Sequence, residues 1–534
     1  GVDAGDLDGD GVADLVIAGL APNGNCTSGN LTCEDVGGGQ GDNMFLAVHS
    51  YNGSNQIAKA YLTRDFHGNT DEWYDVNVGD LDGDSELEIV AAGIGWNANC
   101  TFGNDTCGSD GYTTDGDNWV VGVYHFNGTH LSEHAILSKD FPQEGSDTLY
   151  SLDLADIDGD SNLEIILGGN ADRSYCPYGN TTCIAYPASS GNSVVGVYEY
   201  NSTHIIEQAY LWANFSEGVA DFIWDIEVGE VDGDSNPEIL TVGYGYGNCT
   251  YGNLTCGPDN TFNNWLYAVF NYNGTHLGLQ SKLSFEGEGG SGAYGVSLED
   301  FDGDGIQEVV VSGELRNKTC TGNSTCEDSA TDQERNLVVG VLEANTTHLW
   351  SQAYYSRDFN GGYDGGFQVS ADDVDGDGIA ELVAAGFGNQ GACIYGNNTC
   401  AAAASESYNL INSIFRYNLT HLDEDGYLSF NGNDGVDACR GVTLYDIDSD
   451  GIPEILGACE ASTTECLYGN TTCQADGDST RNMLAGIWDL PLQSPCQYRV
   501  ETGVDAGTYT PWQWMVLNST SNLSMSYYNF TASG

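Results

Sequence analysis

The chain has 534 residues, with 79 acidic against 13 basic side chains, a formal charge of −66, 40% hydrophobic residues and 72 Gly. That apolar share can build a large core, and short apolar runs between glycines favour an all-β array over helices. The charge repels nucleic acid and anionic membrane surfaces, and no apolar run approaches the roughly 20 residues of a membrane span, so neither is an expected partner.

Read from its start, the chain opens at Gly1 without a Met, inside a strand by its pattern and with no signal peptide, as a mature or trimmed segment would. An acidic stretch follows at once and returns six more times: DLDGDGVADLVIAG from Asp6, DLDGDSELEIVAAG from Asp80, DIDGDSNLEIILGG from Asp156, EVDGDSNPEILTVG from Glu230, DFDGDGIQEVVVSG from Asp300, DVDGDGIAELVAAG from Asp373 and DIDSDGIPEILGAC from Asp446. The intervals of 74, 76, 74, 70, 73 and 73 residues make this repeat the architectural unit. Positions 1, 3, 5 and 9 are carboxylates in every copy: Asp6, Asp8, Asp10 and Asp14; Asp80, Asp82, Asp84 and Glu88; Asp156, Asp158, Asp160 and Glu164; Glu230, Asp232, Asp234 and Glu238; Asp300, Asp302, Asp304 and Glu308; Asp373, Asp375, Asp377 and Glu381; Asp446, Asp448, Asp450 and Glu454. Hard oxygen ligands on a tight Gly-bearing turn suit Ca²⁺, which accepts several carboxylates at flexible geometry, better than Mg²⁺, which keeps its waters. Up to seven Ca²⁺ are therefore expected. An EF-hand loop would run to a bidentate Glu at position 12 between helices; here the ninth-position acid leads straight into a β-branched run, so the loop joins two strands.

After each acidic loop comes a cysteine pair: Cys26 and Cys33, Cys100 and Cys107, Cys176 and Cys183, Cys249 and Cys256, Cys320 and Cys326, Cys393 and Cys400, and Cys466 and Cys473. Each pair encloses a Gly-Asn turn, which predicts a hairpin clasped by its own disulfide and an oxidising compartment. Zinc knuckles use closer spacing with further Cys or His nearby. Cys439 and Cys459 are equidistant from the middle of the seventh loop and should face one another across the two strands it joins. Cys496 is left without a predicted partner.

N-glycosylation sequons follow the same repeat. One set lies at the clasped turns, at Asn30, Asn104, Asn180, Asn253, Asn323, Asn397 and Asn470, with Asn25, Asn99, Asn248 and Asn317 within or beside them. A second lies at NGTH-like turns, at Asn52, Asn127, Asn201, Asn273, Asn345 and Asn418, and four more stand at Asn214, Asn518, Asn522 and Asn529. A glycan-coated rim is expected. His130, His204, His276, His348 and His421 recur at that second turn, which marks them as structural.

Each repeat thus reads as a strand such as WYDVNVG, the acidic loop, an apolar strand, the clasped hairpin, a strand such as WVVGVYHF, the NGTH turn and a fourth strand. Seven such units predict an all-β, seven-bladed β-propeller of four-stranded antiparallel blades with a calcium loop in each, over residues 1–500. Residues 501–534 form a sequon-rich aromatic tail that reads as a strand for addition, in this molecule or a neighbouring copy, or as a linker. The DxDGDGxx(D/E) loop between strands of a seven-fold β repeat resembles the FG-GAP/VCBS family, which includes the integrin α-subunit propeller. The Phe-Gly-Gly-Ala-Pro signature of one branch is absent, and acidic loops in all seven repeats exceed the integrin pattern. The resemblance implies an extracellular, calcium-braced propeller used in adhesion or assembly.

No H-E-x-x-H, G-x-S-x-G or blade-specific acid/base cluster stands out, so no catalytic residue is assigned. The expected function is a secreted or cell-surface structural or adhesive glycoprotein, and self-assembly into a filament through the tail is a further expectation. A carbohydrate-binding module or polysaccharide lyase-like enzyme is the alternative, with Tyr178, Tyr251, Tyr395 and Tyr468 in the YGN turns as candidate sugar platforms.

Overall fold

The computed structural model describes residues 1–488 apart from 23, 27, 36–41, 53–54, 67–70, 101–102, 105–106, 110–115, 142–145, 173, 186–190, 214, 216–220, 250, 259–263, 286–290, 317, 329–334, 360–362, 390, 393–400, 403–407, 431–436, 463, 466–473 and 476–480. The chain is a seven-bladed β-propeller, and there is no helix among the described residues. The first six blades each contain four consecutive antiparallel strands, and the seventh has three among the described residues. In blade two these are Glu72–Gly79, Glu88–Trp96, Asp117–Phe126 and Leu131–Lys139, from the channel outward. The second strand is buried along almost its whole length, which is why it reads as a continuous apolar run and not as an alternation.

Blade faces pack on one another through seven apolar clusters, one per interface. The cluster that closes the ring joins Val2, Ala4, Leu15 and Ile17 of blade one to Ile447, Leu456 and Ala458 of blade seven. Burying one Val, Leu or Ile side chain stabilises by about 1.5–3 kcal/mol, so the blades hold each other through many such contacts. Innermost strands carry a β-bulge, as between Trp73 and Asp75, and the bulged residues are Tyr74, Tyr150, Trp224, Tyr294 and Phe367 in blades two to six and Arg440 in blade seven. Consecutive rings touch, with centroids 5.2, 4.2, 5.4 and 6.0 Å apart, and Arg440 lies over Phe367 at 4.4 Å. A half-buried aromatic collar results.

The clasped hairpins fold back over the outer edge of their own blade. In blade two the N–H groups of Ser138 and Ile136 on the outermost strand donate to the carbonyls of Cys100 and Asn104, at 3.2 Å each, while Ile205 of blade three donates to Gly103 at 2.9 Å. The same ties recur from blade three to four and from four to five. This covers an edge that would otherwise pair with other chains, and it links each blade to the next. Gly103 has a φ of 63°, and a Cβ there would collide with the Ile205 carbonyl, so this turn requires glycine.

Disulfides join Cys26–Cys33, Cys100–Cys107, Cys176–Cys183, Cys249–Cys256 and Cys320–Cys326 within hairpins. Cys439–Cys459 crosses between paired strands as expected from its spacing. The two other expected clasps are not among these bonds, because Cys393, Cys400, Cys466 and Cys473 lie outside the described residues. The pairing of Cys393 with Cys400 and that of Cys466 with Cys473 therefore remain expectations of the sequence. Cys496, the sequons Asn214, Asn317, Asn397, Asn470, Asn518, Asn522 and Asn529, and the 501–534 tail also lie outside the described residues.

Candidate metal centres

All seven acidic loops join the innermost strand of a blade to its second strand. Positions 4 and 6 are left-handed in every copy, with φ of 75° and 73° at Gly83 and Ser85 and of 62° and 93° at Ser449 and Gly451. A serine in this region is strained by about 1–2 kcal/mol; the turn is held there because the first carboxylate collects its N–H groups. Asp80 accepts from Gly83, Asp84 and Ser85 at 2.8, 3.1 and 3.0 Å, and Asp156 accepts from Gly159, Asp160 and Ser161 in the same way. The ninth-position acid closes the loop from the other side: Glu88 Oε2 accepts from Leu81 N at 2.8 Å and Glu164 Oε2 from Ile157 N at 3.0 Å. Peptide groups thus preset the carboxylates before any ligand arrives.

The remaining oxygens converge. Ligand atoms of Asp6, Asp8 and Asp10 lie within 4.8 Å of one another, as do those of Asp80, Asp82 and Glu88, of Asp156, Asp158 and Glu164, of Glu230, Asp232 and Asp234, and of Asp300, Asp302 and Asp304. Asp6 Oδ1, Asp14 Oδ2, Asp82 Oδ1, Glu230 Oε2 and Glu238 Oε1 are buried without a hydrogen-bond partner. Burial first, and the neighbouring carboxylates with it, pushes Asp14, Glu164 and Glu308 up to about 7 and Glu238 and Glu381 up to about 8. A buried carboxylate oxygen facing other carboxylates, with no donor, is what a hard divalent cation would satisfy. These residues fit calcium.

The loops have different neighbours. The residue opposite the ninth-position acid on the third strand is Ser50, His125, Glu199, Asn271, Glu343 and Arg416 in blades one to six. His125 Nε2 lies 2.8 Å from Glu88 Oε1 and stacks on His134, ring centroids 3.9 Å apart. A bulge on the fourth strand turns Lys59, His134, Gln280 and Asp425 toward their loops in blades one, two, four and six, and Gln280 donates to Asp232 Oδ2 at 2.7 Å.

A second carboxylate set, not singled out in the sequence, lines the channel. Asp3 accepts N–H groups from Ala4 of its own strand and Val78 of the next blade; Asp75 accepts from Val76 and Leu152, and Asp153 from Leu154 and Val228. Asp225 accepts from Val296 N at 2.7 Å and from Gln368 Nε2, two blades away, at 2.8 Å. These acids clamp the open edges of the innermost strands. Burial pushes Asp3 and Asp153 up to about 7 and Asp225 to about 8. A third set, Asp71, Asp147, Asp221 and Asp364, is buried between the fourth strand of one blade and the first of the next, where each accepts a backbone N–H such as Phe66 N at 2.6 Å.

Most of the described sequons at the two recurrent turns occupy Asx turns. Asn127 Oδ1 accepts from Thr129 N and His130 N at 3.2 and 3.0 Å, a pattern repeated at Asn201, Asn273 and Asn345, and Asn30 Oδ1 accepts from Thr32 N at 2.7 Å. The turn uses the amide oxygen and a glycan would use the nitrogen, so the two are compatible. Tyr178 and Tyr251 are exposed; Tyr395 and Tyr468 lie outside the described residues. No helix among the described residues is long and apolar enough to cross a membrane.

No protein-family model and no curated protein matches the chain. Among solved structures it is similar to the rhamnogalacturonan lyase PL11 of Bacillus licheniformis, over 92% of this chain and 89% of that one, at 16% identity and a TM-score of 0.33.

Proposed function

We propose that this chain is an extracellular, N-glycosylated propeller braced by calcium, with a structural or adhesive role and of the FG-GAP/VCBS kind. The observation that carries the reading is the buried, unpartnered carboxylate oxygen recurring in loops preset by their own peptide groups. Calcium supplies a divalent charge for four carboxylates that otherwise repel. The disulfides of the described hairpins fit an oxidising compartment, and the exposed Asx-turn sequons fit a glycan coat. Elemental analysis of the purified chain after equilibrium dialysis against buffer of known millimolar calcium, with the outer buffer as blank, and intact mass before and after glycosidase test both halves. Several calcium ions per chain and a large glycosidase-sensitive mass are expected; no metal and no mass loss would overturn the reading.

A carbohydrate-binding role is the second reading. It is favoured by the aromatic collar of Tyr74, Tyr150, Trp224, Tyr294 and Phe367, whose half-buried rings offer faces for sugar stacking. Binding to polysaccharides that Trp224→Ala abolishes would favour it over a purely structural role. Self-assembly through residues 501–534 is also proposed: light scattering of full-length and 503–534-deleted protein should show polymer only for the former, and equal masses would exclude it.

A further inference from the structure

The sixth loop differs from its neighbours in one respect that bears on the number of ions. Arg416 stands directly opposite Glu381 in the pairing of the second and third strands. Its guanidinium turns into the loop, with Nη2 3.1 Å from Asp375 Oδ2 and 2.6 Å from Glu381 Oε1, and Nη1 3.0 Å from Asp377 Oδ2. Asp425, the bulge residue of the fourth strand, lies 3.5 Å from Nε. Positions 3, 5 and 9 of the loop are thus all engaged by one planar cation.

We infer that the sixth loop carries its own cation: the Arg416 guanidinium stands where the other loops would hold calcium, so the sixth blade takes up no metal ion. This rests on the calcium reading of the other loops. A guanidinium stays charged at any pH the fold experiences and presents several N–H donors in a fixed fork, which suits carboxylates held a few ångströms apart. Calcium needs oxygens from the same side chains, so ion and guanidinium compete for one set. The tethered group competes without the entropic loss of bringing in a free ion. The fifth blade shows the opposite case. There the equivalent residue is Glu343, and it lines a cavity together with Asp302, Asp304 and Glu308, adding an acid where the sixth blade adds a base. The propeller then has one blade whose loop keeps its counter-charge when calcium is withdrawn, beside others that do not.

The test counts ions. Calcium per chain, measured by titration calorimetry and by elemental analysis after gel filtration, should rise by one in Arg416→Gln and in Arg416→Glu relative to wild type, and not in the control Asn271→Gln. An equal count in wild type and both variants would mean that Arg416 swings out to admit the ion, and the inference would be wrong. In excess chelator Arg416→Gln should melt several degrees below wild type, because its sixth loop has lost its counter-charge, and added calcium should restore it. If wild type binds no calcium at any loop, the calcium reading falls, and this chelator comparison decides about Arg416 alone: equal melting overturns it. Should the variants not fold, anomalous scattering from calcium-loaded wild-type crystals decides, and a calcium peak in the sixth loop is the overturning result.

Discussion

The ninth-position acids of the loops, Asp14, Glu164, Glu238, Glu308 and Glu381, and the carboxylates of the channel share burial and upward-shifted protonation, yet they are built differently. In the loops, peptide N–H groups occupy some oxygens and leave others, such as Asp82 Oδ1 and Glu238 Oε1, buried and facing more carboxylate. In the channel, Asp225 meets Val296 N, Gln368 Nε2 and Ser151 Oγ within 2.8 Å. A carboxylate whose oxygens meet N–H groups acts as a clamp, and one whose oxygens meet each other is, on the proposed reading, a ligand for a cation. Charge and burial alone do not separate the two; hydrogen-bond partners do.

The largest effect that would break this comparison is chelation. At a free concentration ten times Kd, each calcium site adds about 1.4 kcal/mol by mass action, so several sites together should shift the melting temperature by many degrees at constant ionic strength. Hydrogen exchange should localise the loss: amides of Gly83, Asp84 and Ser85 lose protection in chelator, while Val228 and Val296, held by channel acids, keep theirs. Uniform loss, or none, would merge the two sets into one.

A pH titration at saturating calcium addresses the channel. Asp3, Asp153 and Asp225 are raised from 3.8 to about 7, 7 and 8. The folded chain then holds protons that the unfolded chain has released, so this stabilisation is complete below about pH 4 and is lost as pH rises through 7 to 8. Melting temperature should fall between about pH 5 and 8 and level off above, and Asp225→Asn should flatten the fall. A rise over that range would contradict the assignment.

The clasps come next. A loop of this size closed by a disulfide gains about 2–3 kcal/mol in the chain-entropy model, so Cys100→Ser with Cys107→Ser should lower stability by up to that amount. Because the hairpin covers the outer strand and ties Gly103 to Ile205, exchange should quicken at Ile136, Ser138 and Ile205 together. Quickening in blade two alone would show that the tie to blade three carries no load.

Much of this was legible in the sequence because it is repeated. Seven loops at near-constant spacing, with cysteines and sequons locked to them, specify blade number and strand order, together with the five clasps seen among the described residues. The clasps expected at Cys393 with Cys400 and at Cys466 with Cys473 fall outside those residues. The symmetry of Cys439 and Cys459 about the seventh loop predicts their pairing. The channel clamps were not legible: Asp75 and Asp225 look like ordinary alternating strand residues in WYDVNVG and IWDIEVG, and their partners lie on other blades. The fold-back of the hairpins likewise depends on contacts between repeats. Arg416 stands out only when the residues two before each second-turn sequon are aligned, where Ser50, His125, Glu199, Asn271 and Glu343 precede it; what the repeats share hides where they differ. The collar carried a similar signal, an aromatic residue six before each loop in blades two to six.

The last comparison is also the most discriminating, because it predicts different outcomes two residues apart. Asp225→Ala leaves Val296 N buried without its acceptor, and an unsatisfied buried donor costs about 1–3 kcal/mol, so stability should fall. Glu227, next but one on the same strand, is surrounded by Asp153, Asp225, Asp75 and Asp3, and burial together with these charges holds its carboxyl well above the usual range. Glu227→Gln keeps the shape of the side chain and removes a group that the channel keeps from ionising, so stability near pH 8 should be unchanged or slightly higher. Denaturant melts of the two variants at pH 8 and saturating calcium read the difference directly. If both fall alike, Glu227 is a clamp like Asp225 and the channel acids act as one class; if both rise, burial of charge dominates and the hydrogen bonds to neighbouring blades contribute little.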